Sequence, residues 1–158
     1  MNAHAVDLRI SALTVRFRQI GDEQMRDLPF YNPNLEVEAW DFSELDETHL
    51  IGVLITPWFM NLIVLPLVLE PIDPHRYGES RQIALTGGAR GFLYGGDPAV
   101  GAFWAHSLHS PMQQFGTQMQ ARTEARLRLA QVLTLDERSP QALRNPGRRA
   151  LFLRPPGP

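Results

Sequence analysis

With 158 residues, 17.9 kDa and 44% hydrophobic side chains, the chain has enough apolar mass for one substantial core and needs no second domain. A formal charge of -2 and a pI near 6.2 exclude a global electrostatic footprint for nucleic acid or anionic lipid. Cysteine is absent, which excludes a disulfide framework, a thiolate metal site and a cysteine nucleophile; all 15 basic residues are arginine, which excludes Schiff-base chemistry on lysine.

Val6, Ile10, Leu13, Phe17 and Ile20 recur at helical spacing, with Asp7, Arg9, Arg16 and Arg18 on other sides, and predict an amphipathic helix over 6–20 that ends near Gly21. The same charges interrupt any continuous apolar core of a secretory signal, so a cytoplasmic protein is expected. "LPFYNPN" (28–34) carries loop chemistry, because each proline disfavours helix at the residue before it. A strand follows over 35–42, where Leu35, Val37 and Ala39 alternate with Glu36, Glu38 and Trp40 as one wet sheet face requires.

From Leu50 to Leu69 the chain is uncharged and long enough to cross a bilayer as a helix. Pro57, Asn61 and Pro66 argue against that, as do Asp46 and Glu47 upstream and Glu70 and Asp73 downstream, with no arginine nearby to anchor a span. The run divides better into two strands, 50–56 and 62–69, around a turn "TPWFMN". A long connection follows to Ser80, and "RQIAL", "GGARGFLYGG" and "VGAFWAHSL" supply three more extended pieces joined by glycine-rich turns. Ser110 as N-cap, Pro111 at the first helical position and Gln113 as the reciprocal partner predict a second helix over 111–133, with Met112, Phe115, Met119, Leu127 and Ala130 as its buried stripe. The remaining tail, 134–158, is rich in proline and arginine, and only "RRALFL" within it has the makings of a packed element. The expected fold is α+β: a mostly antiparallel sheet over 35–109 with the N-terminal and late helices packed on it.

Reactive constellations are scarce. His106 and His109 would point to opposite faces of a strand and have no third ligand at a suitable spacing, so no metal is expected. Ser107 and Ser110 lack a nucleophile elbow, and the glycines of 86–96 lack the lysine and spacing of a phosphate-binding loop. Glu36 and Glu38 read as a solvated sheet face rather than a catalytic pair. What stands out is Trp58, Phe59 and Met60 directly after a proline at a turn; these residue types are enriched in interface cores, and equally they cap hydrophobic cores.

"ITPWFMNL", "HSLHSPM" and "GRRALFLR" together resemble the HybE family of [NiFe]-hydrogenase assembly proteins, also called HupJ or HoxT. The family's order of features is similar throughout 6–154: an amphipathic helix; Asn32, Pro33, Leu35 and Val37 at the entry to the first strand; Thr56 to Trp58; Ser107, Leu108, Ser110 and Pro111; and Gly147 to Leu151. Some relatives carry a fused rubredoxin module, whose Cys-x-x-Cys iron ligands this chain lacks. The resemblance implies a cytoplasmic chaperone with no catalysis and no cofactor. It would bind the small or large [NiFe]-hydrogenase subunit precursor, with other maturation proteins as further partners, before twin-arginine export; no nucleic acid and no membrane insertion are implied. The partner-binding candidates are Thr56, Pro57, Trp58, Phe59, Met60, Asn61, Ser107, Pro111, Met112, Arg148 and Arg149. The alternative is a small-molecule or cofactor-precursor binding module of the same machinery. Arg148, Arg149, Phe152 and Leu153 also resemble a twin-arginine export motif at the wrong end of the chain, which leaves open a terminal strand docked on the sheet or a mimic of a client's leader.

Overall fold

A computed structural model describes residues 2–133. Helix α1 runs Ala3–Ile20, capped by the Asn2 side chain, which accepts from the His4 N–H at 2.9 Å. It does not stop at Gly21, as the sequence suggests, but continues through one π-helical turn, Gly21–Met25. Six strands follow: β1 (Glu38–Glu44), β2 (His49–Ile55), β3 (Met60–Pro66), β4 (Ser80–Leu85), β5 (Gly88–Asp97) and β6 (Gly101–His109). They form one sheet in the order β1-β2-β3-β6-β5-β4, antiparallel at every step. Two three-stranded meanders are thus joined through β3 and β6, and the connection over 67–79 carries the chain from the middle of the sheet to its far edge.

The uncharged run forms β2 and β3, and no helix among the described residues is long and apolar enough to cross a membrane. These strands lack alternation because both of their faces are covered. Ile51, Val53, Ile55, Met60, Leu62 and Val64 pack with Ala121, Ala125, Leu129 and Val132 of helix α2 (Gln118–Leu133). The intervening Leu50, Leu54, Ile63 and Leu65 pack with Leu13, Ile10 and Phe17 of α1. Helices therefore lie on opposite faces of one sheet. In β1 the alternation expected from the sequence fails after Trp40: one extra residue is accommodated before Ser43, with Asp41 at φ 54°. The bulge turns Phe42 across Gly52, where an added Cβ would come within 2.4 Å of the Phe42 ring.

The second helix begins seven residues later than its sequence signal. Ser110 caps nothing, and Pro111 to Gly116 form a loop. Its Phe115 carbonyl accepts from the buried Asn32 side chain at 2.7 Å, and its Met112 carbonyl accepts from Asn32 at 2.9 Å and from the Phe115 N–H at 3.2 Å, a turn bond rather than the bond from four residues on that an α-helix would supply. The cap is Thr117, whose Oγ1 accepts from the Gln120 N–H at 3.2 Å, while Gln120 Oε1 accepts from the Gly116 N–H at 2.7 Å. The helix is also rotated from the expected stripe: Met119 and Leu127 are exposed, and the buried line is Ala121, Ala125, Leu129, Val132 and Leu133. Glu38 fixes that rotation by accepting from Gln118 at 2.9 Å and from Arg122 at 2.8 Å. The far end of α2 sits on the β4–β5 turn, where the Gly87 N–H donates to the Val132 carbonyl at 2.7 Å.

Candidate functional site

The turn between β2 and β3 is held by Thr56. Its N–H donates to the Phe59 carbonyl at 2.8 Å, and its Oγ1 accepts from the Phe59 and Trp58 N–H groups at 2.8 and 3.2 Å. Pro57 supplies the fixed φ for the tip, and its carbonyl accepts from the Asn32 N–H at 2.9 Å. Asn32 thereby ties three segments together: the "YNPN" loop, the "TPW" turn and the loop ahead of α2. At 6% exposure it is a buried polar hub. The sequence reading placed Asn32 in a motif but gave it no role.

Of the two readings open for Trp58, its packing is that of a core residue. Rather than being presented from the turn, its side chain is 8% exposed and belongs to the core on the α1 face. It stacks on Tyr31 with centroids 6.2 Å apart and meets Phe59 edge-on at 5.6 Å. Gly21 lies so close that an added Cβ would come 3.2 Å from the indole ring. Thr56, Met60 and Met112 are fully buried, Pro57 is buried, and Phe59 and Asn61 are half-buried. Ser107, the register partner of Asn61 on β6, is exposed, as is Pro111. The fold thus gathers Thr56 to Asn61 with Met112 through Asn32, and it leaves Pro111 at the surface. Arg148 and Arg149 lie outside the described residues.

Above the buried turn is a cleft of about 370 Å³, lined by Arg18, Gly21, Asp22, Arg26, Tyr31, Pro33, Leu35, Glu36, Val37 and Pro57. A neighbouring hollow of about 300 Å³ shares Arg26, Tyr31 and Pro33. The π-helical turn makes one wall, the 31–37 segment the other, and Pro57 closes one side. Its rim carries both signs of charge: Arg26 pairs with Asp22 at 2.5 Å, both well exposed, and Arg18 reaches the Val37 carbonyl at 3.4 Å. From the sequence Arg18 reads as the charged side of a helix and Glu36 as a solvated sheet face, and Arg26 stands in no motif; the three sit on separate segments, so nothing in their spacing brings them to one site.

Outside the cleft lining, two ionised groups tie the helices to the sheet. Burial acts to raise the pKa of Glu38, but hydrogen bonds from Arg122 and Gln118 and the charges of Arg122 and Arg18 outweigh it and hold the carboxyl below its usual range. On α1, Arg9 is 8% exposed and donates from Nε to the Pro66 carbonyl at 2.9 Å. Burial lowers its pKa, against the pull of Glu70. It therefore belongs to the buried side of the helix, not to the solvated side expected from its charge. His109 bonds Glu124 at 2.5 Å, while His106 meets the Gly91 carbonyl at 2.8 Å, so the two histidines take separate partners. Among the described residues no group of three or more histidine or carboxylate side chains is placed to hold a metal ion.

In this arrangement the motif residues frame a cleft. Residues 8–154 match the model of the family described as [NiFe]-hydrogenase assembly, chaperone, HybE. The chain belongs to that family of hydrogenase assembly chaperones. It is 36% identical over 147 residues to the hydrogenase expression/formation protein HoxT of Azotobacter vinelandii, covering 90% of this chain and 93% of that one. It is 37% identical over 117 residues to the hydrogenase expression/formation protein HupJ of Bradyrhizobium diazoefficiens, covering 74% of this chain and 67% of that one. A probable rubredoxin, HupJ of Rhodobacter capsulatus, is 35% identical over 139 residues; the match takes in 88% of this chain and half of that protein's length. The solution structure of HybE from Escherichia coli superposes with a TM-score of 0.63 at 25% identity, covering 81% of this chain and 78% of that one. The N-terminal helix, antiparallel sheet and late helix are thus the fold of a solved relative.

Proposed function

We propose that this chain binds an immature [NiFe]-hydrogenase subunit in the cytoplasm, before twin-arginine export of the assembled enzyme, and that the cleft beside the "TPW" turn receives the client. The observation that supports this is the coincidence of motif and cavity. Pro57 lines the cleft, Trp58 lies beneath it against Gly21 and Tyr31, and Asn32 locks the two loops that form it. A wide cleft with an aromatic floor and a rim of both charges suits a polypeptide segment with polar and apolar side chains.

The test is affinity capture from cells expressing a hydrogenase operon, with mass spectrometry of what is retained. Wild-type protein is expected to hold a small or large subunit precursor. Arg18→Ala combined with Arg26→Ala should reduce recovery severalfold while circular dichroism stays unchanged, because both side chains are partly or wholly in solvent. Recovery of no subunit or maturation protein, or full recovery by the folded double variant, refutes the cleft as the client site. A small ligand retained through gel filtration, with no protein partner, would instead support a cofactor-precursor carrier.

A further inference from the structure

We propose that two copies of this chain pair through the edge strand β4, antiparallel about a two-fold axis at Gln82, so that their six-stranded sheets become one.

The sheet has two edges, and they are built differently. The β1 edge is broken by its bulge and by the left-handed Asp41. The β4 edge is regular: Ser80 to Leu85 pairs with β5 at six consecutive positions, with no register shift and no proline. Ile83 and Leu85 are 2% and 5% exposed in the core beneath α2, so the strand is firmly seated. Its single charge does not guard it. Arg81 lies over the Trp104 ring of its own sheet, 4.9 Å from the centroid, and 3.9 Å from Glu79.

The pairing with β5 fixes which backbone groups the edge offers. Leu85 and Gly88 flank the two-residue turn, and the Tyr94 N–H donates to the Glu79 carbonyl at 2.8 Å, so Glu79, Arg81, Ile83 and Leu85 bond β5. The N–H and carbonyl groups of Ser80, Gln82 and Ala84 point away from the sheet, and no strand among the described residues meets them. This row is its own complement. With Gln82 on the axis, Ser80 of one copy faces Ala84 of the other, and every one of these groups enters the ladder. An axis at Ile83 would set Ser80 against the turn residue Thr86 instead. The side chains agree with the first register. Ser80, Gln82 and Ala84 lie on the face away from α2, where the edge carries no charge and no large apolar group. The two Gln82 amides would stand side by side, each able to donate to and accept from the other. The cleft lies by β1 and the β2–β3 turn, so pairing at β4 leaves one cleft accessible in each copy. One strand from each side is a small contact, and a reversible dimer is expected rather than a permanent one.

Because the chain has no cysteine, a single introduced one reports the register. Gln82→Cys should give a disulfide-linked dimer on mild oxidation, since facing residues of such a pair have Cα atoms about 5.5 Å apart. Ser80→Cys, whose copies would lie about 13 Å apart along the ladder, should cross-link slower by on the order of tenfold or more. Sedimentation of the wild-type chain from micromolar to millimolar concentration should show a monomer–dimer equilibrium, with amide exchange at Ser80, Gln82 and Ala84 slowing as the dimer forms. Gln82→Pro removes an outward donor and no bond to β5, and should weaken the dimer by on the order of tenfold or more while the amides of β2 and β3 stay protected. A wild-type chain that stays monomeric to millimolar concentration, a dimer that Gln82→Pro leaves unchanged, or equal cross-linking of the two cysteine variants overturns the proposal. So does protection of the three outward amides that does not depend on concentration, since the edge would then be covered from within one chain.

Discussion

Replacing Trp58 by alanine separates a residue that builds the site from one that touches the client. The side chain is 8% exposed, stacks on Tyr31, meets Phe59 edge-on and fills the space against Gly21. Removing a buried tryptophan costs about 3–5 kcal/mol, and each lost aromatic pair is worth about 0.5–1.5 kcal/mol beyond area burial. A loss of about 4 kcal/mol is therefore expected, a large part of the 5–15 kcal/mol that holds a typical domain. At about 2–4 °C per kcal/mol for a chain of this size, Tm should fall about 8–16 °C. Urea melts followed by circular dichroism measure the loss, and Trp58→Phe, which keeps a ring against Tyr31, should lose about half as much. A Trp58→Ala protein within about 0.5 kcal/mol of wild type would refute the packing argument, since that is the scale of surface substitutions.

Asn32→Ala takes the side-chain donor from the Phe115 carbonyl and one of two donors from the Met112 carbonyl, and should cost about 1–3 kcal/mol in the same melts. Thr117→Ala should lose about 1 kcal/mol, whereas Ser110→Ala should stay within about 0.5 kcal/mol; the reverse order would restore the earlier helix start. Glu38 has a lowered pKa in the folded state, so the stability it contributes is present above the unfolded-state pKa and is lost as pH falls through the folded one. Below about pH 4, Glu38→Gln should therefore show a shallower loss of stability than wild type in acid-denaturation curves; an unchanged slope would mean that the Arg122 and Gln118 bonds do not hold the proton off.

The sheet was legible because β2 and β3 carry unbroken apolar runs of strand length around a proline turn, a pattern that two-sided burial demands. The start of the second helix was not. Two Ser/Thr-x-x-Gln boxes lie in sequence, Ser110 to Gln113 and Thr117 to Gln120, and the first has the better local chemistry because proline follows it. What selects the second is Asn32, some eighty residues upstream, which takes the carbonyls the earlier helix would need. A local window cannot register that competition. The rotation of α2 is hidden for the same reason, being fixed by Glu38 from β1.

The site was half legible, and the division has a physical cause. Thr56, Pro57 and Trp58 stand out by residue type and adjacency, but tryptophan is favoured equally by cores and by interfaces, so identity alone does not say which. Their burial places them under the cleft as its frame: Thr56 fixes the turn, Pro57 holds Asn32, and Trp58 fills the space that Gly21 leaves. Under the proposed role, the side chains left to meet a client are Arg18, Arg26, Tyr31 and Glu36, brought to one rim from the end of α1, the π-helical turn and the loop ahead of β1. Exchanging a rim charge should therefore change which segment is bound while leaving the fold in place. Changing a frame residue alters the shape of the cleft and the stability of the chain together, so a loss of binding in a Trp58 variant is by itself no evidence of contact.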